Sequence, residues 1–298
     1  MSIVEEEYDY MELFLDSYDA SLAYVNSYYY SDWPLFQFQT DIANIAAFKV
    51  IEAQIPFSWY VINSSNNRFL LTEGASTATV TLPVGNYNSS TLTTALQTAL
   101  ILASPLAKTY AVTFSGQNSV PNTGKFTIVS ADASVYSLTF GDAEDLGVTN
   151  PRFYLGFAEG VSTSSGAGVL TGQNAANISG PNYLYINSRS LGTLFKTVLP
   201  VGADALGQGS IGPQIAKVPI NVQPGGVIYW SDPVPQKWFL LENYPLLTQM
   251  DLYITIGNND TPIATSLNGI SFSVKIGLLL NKSLAGKKMQ GVTYTKPY

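Results

Sequence analysis

The chain contains no histidine and no cysteine. Histidine supplies most general bases near neutral pH, and cysteine supplies activated thiols and thiolate ligands. Without them, Ser–His–Asp and Cys–His hydrolysis are excluded, as are the common zinc, haem and iron–sulfur sites built on these residues. We therefore predict that the protein is not an enzyme and has no catalytic residue, no cofactor, no metal site and no small-molecule substrate.

Charged residues are also scarce, at 12% of the 298 residues, whereas 46% of the residues are hydrophobic. The charged share is about half that of an ordinary globular protein. The length is sufficient for one large domain or two small ones with a real core. Much of the surface must then consist of uncharged polar, tyrosine or apolar side chains. Such a surface is typical of a structural protein that is covered by partners.

Long apolar runs are missing as well. The stretch Leu96–Leu106 is too short to span a bilayer and is interrupted by Pro105. The opening residues Met1–Glu7 contain neither a basic region nor an apolar run, so no secretory signal is predicted. We expect a soluble protein that is made in the cytosol.

The net charge is unevenly distributed, with an excess of acids at the start of the chain and only basic charges at its end. Seven acids lie within residues 5–19, and the rest of the chain carries fourteen acids against fourteen bases. No acid follows Asp260. We predict an N-terminal arm over residues 1–33 and a C-terminal tail over residues 282–298. One interpretation is that both ends are simply solvated, and the other is that they contact partners.

Aromatic residues favour the second interpretation for the arm, because they would anchor it on a neighbouring surface. The predicted arm residues are Tyr8, Tyr10, Phe14, Tyr18, Tyr28, Tyr29 and Tyr30. The predicted basic tail residues are Lys282, Lys287, Lys288 and Lys296. Four lysines would give at most a weak, salt-sensitive contact with nucleic acid.

Strand patterns dominate the remainder of the chain. Period-two alternation begins at Phe36–Thr40, and eight such segments lie within residues 34–62 and 181–281. Eight antiparallel strands in two facing sheets form a jelly roll. Residues 63–180 then form an inserted α+β lobe, whose helix has Leu92, Leu96, Ala99 and Leu100 at helical spacing after a cap at Asn88 or Ser89. The Gly- and Ser-rich stretch 160–180 reads as a connector or surface loop.

Two structural expectations follow from this fold prediction. Strands before residue 62 should pair with strands after residue 181. The alternating positions of these strands predict the core of the jelly roll, namely Ile51, Ile55, Trp59, Val218, Ile220, Phe239, Leu241, Leu252, Ile254, Phe272, Val274 and Ile276.

Three sequence segments carry a family resemblance. They are residues 53–63 (AQIPFSWYVIN), residues 81–87 (TLPVGNY) with the helix behind them, and residues 267–273 (LNGISFS). Over roughly residues 35–280 the chain resembles the single jelly-roll penton and minor capsid proteins of Polinton-like viruses and of virophages of the Mavirus type. The resemblance implies a homopentamer at the five-fold vertices of an icosahedral shell built mainly from another, double jelly-roll protein. It also implies a location in the virion after synthesis in the host cytoplasm.

Two alternatives remain open at this point. In the first, residues 35–160 and 181–280 form the two rolls of a compact double jelly-roll major capsid protein, which would assemble as trimers. In the second, the chain is a carbohydrate-binding β-sandwich or a glycoside hydrolase, in which aromatic platforms and two fixed carboxylates would act on a glycan. Oligomer symmetry separates the first alternative, and a glycan-binding or hydrolysis assay separates the second.

Overall fold

A computed structural model of the chain describes residues 8–20, 35–116, 120–141, 150–192, 214–233, 238–241, 246–258, 261–264 and 267–282. The chain divides into two compact units. One unit is residues 60–180, and the other combines residues 1–59 with residues 181–298. We call them the middle unit and the terminal unit. Among the described residues, no helix is long and apolar enough to cross a membrane.

The terminal unit begins with three strands, β1 (Tyr8–Asp16), β2 (Leu35–Ile42) and β3 (Ile45–Pro56). Strand β3 is the most deeply buried of them, since eight of its twelve residues are buried. Its first four residues, Ile45–Phe48, are apolar and all buried, whereas Glu52 and Gln54 near its end are exposed, so only the start of β3 is covered on both faces. Position 44, between β2 and β3, is Asn44 at a φ of 61°, a left-handed conformation that asparagine tolerates.

The middle unit contains seven strands and two helices among its described residues. The helices are α1 (Ser89–Ala103) and the single turn α2 (Arg152–Leu155). The strands are β4 (Arg68–Glu73), β5 (Ser76–Thr81), β6 (Tyr110–Phe114), β7 (Phe126–Ser130), β8 (Tyr136–Phe140), β9 (Gly160–Thr163) and β10 (Val169–Thr171).

Helix α1 forms where the sequence predicts it. The Asn88 side chain accepts a hydrogen bond from the Thr91 N–H at 2.9 Å, and the Thr91 hydroxyl accepts one from the Asn88 N–H at 3.0 Å. This reciprocal pair is a capping box, which satisfies two N–H groups that would otherwise lack partners. The buried face of the helix consists of the predicted residues Leu92, Leu96, Ala99 and Leu100.

Two antiparallel sheets, ordered β5-β4-β8-β9 and β10-β7-β6, form the rest of the middle unit. Its core is a single cluster of buried apolar residues to which α1 and both sheets contribute. Fully buried members include Phe69, Leu71, Leu96, Phe126, Leu138 and Phe140. The unit is therefore an α+β fold with its own core.

The prediction of a connector or surface loop over residues 160–180 is wrong, although the middle unit does end at residue 180. Strand β9 pairs with β8, and β10 pairs with β7, so this stretch supplies the edge strand of each sheet. Its composition suits this role because small residues permit close backbone approach. A Cβ on Gly172 would lie 2.9 Å from the Gly156 carbonyl oxygen. Leu170 is the buried residue of β10, at 5% exposure, and anchors this strand in the core.

The remaining elements complete the terminal unit. The single-turn helix α3 spans Arg189–Gly192. The strands are β11 (Tyr183–Asn187), β12 (Gln214–Pro219), β13 (Val227–Ser231), β14 (Phe239–Leu240), β15 (Leu247–Asp251), β16 (Tyr253–Asn258), β17 (Thr261–Ala264) and β18 (Ser273–Asn281).

The terminal unit consists of three antiparallel sheets in the described residues. A five-stranded sheet has the order β1-β18-β3-β13, with β14 also paired to β3. A four-stranded sheet has the order β12-β11-β16-β17, and β2 pairs with β15. The early strands β2 and β3 thus pair with strands after residue 181, as the sequence predicts.

The predicted fold class is confirmed, since the chain is mainly β with antiparallel sheets and a helix-bearing α+β part. All eight strands expected in the terminal unit are present. Strands β1 and β17 are additional, and the single strand expected near residues 250–256 is divided into β15 and β16. Pro262 in β17 fits an edge position, because proline cannot donate to a ladder.

Nine of the twelve predicted core residues are buried, and Ile51, Ile220 and Phe239 are only half-buried. Ile51 is only half-buried because the ladder between β18 and β3 shifts there. Lys275 faces Glu52 and Ile276 faces Val50, so Ile51 has no partner on β18. Such a β-bulge reverses the alternation of the strand. Val50 therefore occupies the inward position expected for Ile51. Ile220 follows the end of β12, and Phe239 lies in the two-residue strand β14.

Candidate assembly surface

Residues 8–16 are part of the terminal unit's own sheet, which corrects the prediction of an arm for this part of residues 1–33. Residues 1–7 and 21–33 of the predicted arm lie outside the described part of the chain. Strand β1 pairs along its whole length with β18, from Tyr8 opposite Asn281 to Asp16 opposite Ser273. Leu15 is buried, at 7% exposure, on the inner face of this pair. The physical reason is the alternation Met11-Leu13-Leu15, which places apolar side chains on one face of a strand. That pattern was present in the sequence, but the acids beside it obscured it.

Side chains of β1, β18, β3 and β13 form one exposed surface, which we call the outer sheet face. Its strands align in register: Asp16 is opposite Ser273, Ser273 is opposite Gln54, and Gln54 is opposite Tyr229. The neighbouring row consists of Phe14, Lys275, Glu52 and Ser231. Residues directly opposite each other on one face of a sheet are in contact distance. The four strands therefore present a continuous surface.

Aromatic and cationic groups pack together on the outer sheet face. The Tyr10 ring meets the Trp238 ring edge to face, with centroids 6.2 Å apart. The Lys49 ammonium lies 4.7 Å from the centre of the Trp238 ring, a cation–π distance. Gly277 makes room for this packing, because a Cβ there would lie 3.2 Å from the Tyr10 ring and 3.1 Å from the Ile51 Cδ1.

The charges of β1 are compensated within the same unit. Glu12 Oε2 lies 2.7 Å from Lys275 Nζ, and Asp9 Oδ1 lies 3.3 Å from Lys282 Nζ. The Tyr10 hydroxyl donates to Glu12 Oε1 at 2.7 Å. Hydrogen bonds from Lys275 and then Tyr10 lower the pKa of Glu12. Because Glu12 and Asp9 are paired within the unit, β1 presents less negative charge to a neighbouring subunit than its sequence suggests.

The pKa values of the two other ionisable groups of this cluster, Tyr10 and Lys275, are both raised. Burial, followed by the hydrogen bond to the Glu12 carboxylate, raises the pKa of Tyr10 to about 12. The hydrogen bond to Glu12 raises the pKa of Lys275. Near neutral pH the cluster therefore contains one carboxylate, one ammonium and one neutral phenol.

Large apolar side chains on this face are left in solvent. Phe14 is 72% exposed, Tyr229 68% and Leu240 75%. A shallow groove of about 400 Å³ runs beside Phe14, between Asp16 and Lys275. Isolated exposed apolar residues are ordinary, but several on one sheet face are typical of an interaction site. The outer sheet face is thus our candidate assembly surface.

Four of the predicted arm residues lie in the described part of the chain. Tyr10, Phe14 and Tyr18 are 54%, 72% and 84% exposed, and Tyr8 is half-buried. Of the predicted tail residues, Lys282 is described and pairs with Asp9. The other predicted residues lie outside the described part of the chain, namely Tyr28, Tyr29, Tyr30, Lys287, Lys288 and Lys296.

Sequence reasoning missed the partners that complete this surface, chiefly Lys49, Trp238, Lys275 and Tyr229. They come from three strand regions far apart in sequence, so only the sheet order brings them together. A local signal existed for Lys275 alone, because it alternates with the predicted core residues Val274 and Ile276.

The hydrolase alternative requires carboxylates held in fixed positions. In the middle unit Glu73 is an acid of this kind, because it is fully buried. Its carboxylate accepts hydrogen bonds from the Ser104 hydroxyl at 2.7 Å, from the Leu106 N–H at 2.9 Å and from the Tyr110 hydroxyl. These donors lie just beyond the C-terminus of α1 and in β6. Glu73 therefore joins the helix end to the sheet, which is a structural role.

No protein-family model matches the chain, and no curated protein matches it in sequence. The fold is similar to solved virophage structures. One is the selenomethionine-labelled mavirus penton protein, with a TM-score of 0.49 and 13% identity over 91% of this chain and 99% of that chain. Another is a chain in the 3.5 Å cryo-EM structure of the Sputnik virophage, with a TM-score of 0.45 and 12% identity over 94% of this chain and 99% of that chain. Virophages, to which the sequence resemblance points, are therefore represented among the structures similar to this chain.

Proposed function

We propose that the chain is a structural protein of a viral capsid, and that it forms pentamers at the five-fold vertices of an icosahedral shell. The observation that carries this proposal is the outer sheet face, where Phe14, Tyr229 and Leu240 are exposed while Glu12 and Asp9 are paired within the unit. Covering apolar surface stabilises association by about 25 cal/mol per Å². A face of this kind favours contact with protein.

A ring is the assembly that fits such a surface. When identical subunits bury different faces head to tail, the contacts close into a ring if the rotation permits. The number five comes from the sequence resemblance, as does the partner, a double jelly-roll major capsid protein of the same virion. In this proposal the protein is located in the virion, is made in the host cytoplasm and has no enzymatic role.

In this proposal, residues of the predicted arm and tail still contact neighbouring subunits, but β1 does so as a strand of the sheet. We assign Tyr10, Phe14 and Tyr18 to subunit contacts because each is more than half exposed. Tyr28–Tyr30 and the tail lysines from Lys287 onward are assigned to contacts with neighbours on sequence grounds alone. Contact with nucleic acid through these lysines is at most weak.

The double jelly-roll alternative conflicts with the observed pairing. It requires residues 35–160 to form one roll, yet β2 and β3 pair only with strands after residue 181 among the described strands. Residues 60–180 are compact without β2 and β3, and they contain the fifteen-residue helix α1 in their core. This arrangement is a helix-bearing unit and not a second roll.

Native mass spectrometry and electron microscopy of the purified chain, alone and mixed with its shell protein, test the proposal. We expect a pentamer whose side contacts each bury more than about 1,000 Å², the size of a stable interface. Because few charges are available, moderate salt should weaken the ring only slightly. Trimers would favour a major-capsid role, and a monomer under both conditions would exclude the vertex role.

A further inference from the structure

The outer edge of β1 is unpaired among the described strands, and its main-chain groups have a defined direction. Ser17 N–H donates to the Phe272 carbonyl at 2.9 Å, and Asn281 N–H donates away from β1, to the Asn44 carbonyl at 2.9 Å. In an antiparallel ladder the direction alternates with each residue. The N–H and C=O groups of Tyr10, Glu12 and Phe14 therefore point away from β18, toward the open edge.

The opposite edge of the same sheet has the same property. Asp232 N–H donates to the Ile51 carbonyl at 2.8 Å, and the Gly226 carbonyl accepts from Phe57 N–H at 2.9 Å. The main-chain N–H and C=O groups of the even-numbered residues of β13 therefore point toward β3. The main-chain groups of Val227, Tyr229 and Ser231 consequently point away from β3, and no described strand pairs with them.

The strand order makes these two edges complementary. Every neighbouring pair in β1-β18-β3-β13 is antiparallel, so β1 and β13 run in opposite directions. A second copy that continues the sheet head to tail would therefore bring its β13 antiparallel to β1. The exposed side chains also match, since Phe14 and Tyr229 lie on the same face of the sheet and are 72% and 68% exposed.

The usual protection against edge pairing is weak at β1. Natural edge strands are blunted by prolines, by short length or by outward charges. Strand β1 has nine residues and no proline, and two of its three acids are held by Lys275 and Lys282 of the same unit. The edge thus remains available for a strand from a partner.

We propose that β1 of one subunit pairs antiparallel with β13 of the next copy, so that the five-stranded sheets of neighbouring subunits join across the ring contact. This inference rests on the proposed ring and names the contact that builds it. Tyr10, Glu12 and Phe14 exchange main-chain hydrogen bonds with Val227, Tyr229 and Ser231. The overlap of about five residues spans roughly 16 Å at about 3.3 Å per residue. Phe14 and Tyr229 cover each other across the new ladder.

Residue-resolved hydrogen–deuterium exchange of the full chain tests this contact without any variant. Oligomeric state is measured in parallel by native mass spectrometry over a concentration series. We expect the amides of Tyr10, Glu12, Phe14 and Tyr229 to exchange at least about tenfold more slowly in the oligomer than in the monomer. The amides of Leu13 and Leu15, which point to β18, should be protected in both states.

A matched pair of variants gives an independent test. Phe14→Pro removes both the phenyl side chain and the main-chain N–H that points away from β18, so no β1–β18 hydrogen bond is lost. Phe14→Thr also removes the phenyl side chain but keeps that N–H. We expect Phe14→Pro to weaken subunit association at least about tenfold relative to Phe14→Thr. The two melting temperatures of the monomers should agree, which shows that both variants fold.

The outcomes separate this contact from the proposed ring. A ring whose Tyr10, Glu12 and Phe14 amides still exchange quickly would overturn the edge pairing and leave the ring intact. Protected amides in an oligomer without ring symmetry would support the pairing and overturn the ring. A chain that stays monomeric with fast exchange would overturn both, and equal association of the two variants would overturn the pairing.

Discussion

Both compact units bury aromatic side chains, but the terminal unit also exposes aromatic rings on one sheet face. In the middle unit, Phe140 stacks between Phe69 and Phe157, at centroid distances of 5.1 and 5.2 Å, and all three rings are buried. In the terminal unit, Phe14 and Tyr229 lie on a sheet face and remain mostly in solvent. Aromatic content alone therefore does not distinguish a core from an interface. The position of the strand in its sheet decides which one forms.

Both units pair surface acids with cations, as Asp132 with Lys108 and Glu159 with Arg152 in the middle unit, but the middle unit also holds a carboxylate in its interior. The middle unit satisfies Glu73 in its interior with three neutral donors, and Asp132 at its surface accepts from Ser130 and Ser134, which lowers the pKa of Asp132. The terminal unit pairs Glu12 and Asp9 with lysines on its exposed sheet. The middle unit has its own closed core, whereas the terminal unit presents exposed aromatic rings beside paired charges and open strand edges on one described sheet, an arrangement that suits a partner.

The largest expected effect is on the closed core of the middle unit. Phe140→Ala removes a fully buried ring from between two others, so we expect a loss of about 3–5 kcal/mol in the free energy of unfolding. Urea unfolding, followed by hydrogen exchange of residues 60–180, measures it. The control is Phe153→Ala, because Phe153 is 45% exposed and should cost less than about 1 kcal/mol. Equal losses for the two variants would contradict a closed core.

The next effect tests whether β1 belongs to the sheet. Leu15 is buried and Phe14 is its exposed neighbour, so the pair compares the two faces of one strand. We expect Leu15→Ala to lower the free energy of unfolding by about 2–4 kcal/mol and Phe14→Ala to change it by less than about 0.5 kcal/mol. Thermal unfolding of both variants provides the measurement. If both changes are negligible, the segment is a free arm, as its acidic composition first indicated.

Strand β1 also shows where sequence reasoning reached its limit. Helix α1 could be predicted to its cap, because Asn88 and the spacing of Leu92, Leu96 and Leu100 are local signals. Eight strands of the terminal unit could be predicted, as could the pairing of the early strands with those after residue 181, but β1, β17 and the division of β15 from β16 could not. The acids of residues 5–19 suggested solvation, because their lysine partners, Lys275 and Lys282, come from more than 250 residues away.

Two further features depend on neighbours that a single strand does not reveal. The bulge at Ile51 arises from the register between β3 and β18, so alternation along β3 alone placed Ile51 inward. The stretch 160–180 forms strands because β7 and β8 offer free edges, although its own composition has little to bury. The outer sheet face could not be predicted for the same reason, since its order β1-β18-β3-β13 joins both ends of the chain.

A smaller effect is expected at the buried carboxylate of the middle unit. Glu73→Gln replaces one carboxylate oxygen by an NH₂ group. In place of Oε2 this group would meet the Leu106 N–H as a donor–donor contact, and in place of Oε1 it would remove the acceptor of the Ser104 and Tyr110 hydroxyls. We expect a cost of about 1–3 kcal/mol in the free energy of unfolding. Glu159→Gln is the control, since its carboxylate is half exposed and pairs with Arg152 at the surface. Denaturant unfolding of both variants compares the two losses. A larger loss for Glu73→Gln than for Glu159→Gln shows that the Glu73 carboxylate holds the end of α1 against the sheet.

The smallest effect concerns the ion pair of the outer sheet face. The pKa of Glu12 is lowered from its ordinary value of 4.5 by hydrogen bonds from Lys275 and then Tyr10. A group whose pKa falls on folding contributes stability above its unfolded pKa and loses that contribution as the pH drops through the folded value. Wild type should therefore be slightly more stable than Glu12→Gln at pH 7, and the difference should disappear as the pH falls below 4.5 toward the folded pKa. Because the pair is exposed, the difference at pH 7 should also shrink in high salt. Melting temperatures of the two proteins across this pH range provide the measurement, and a difference that grows on acidification would mean that Glu12 is not held by Lys275.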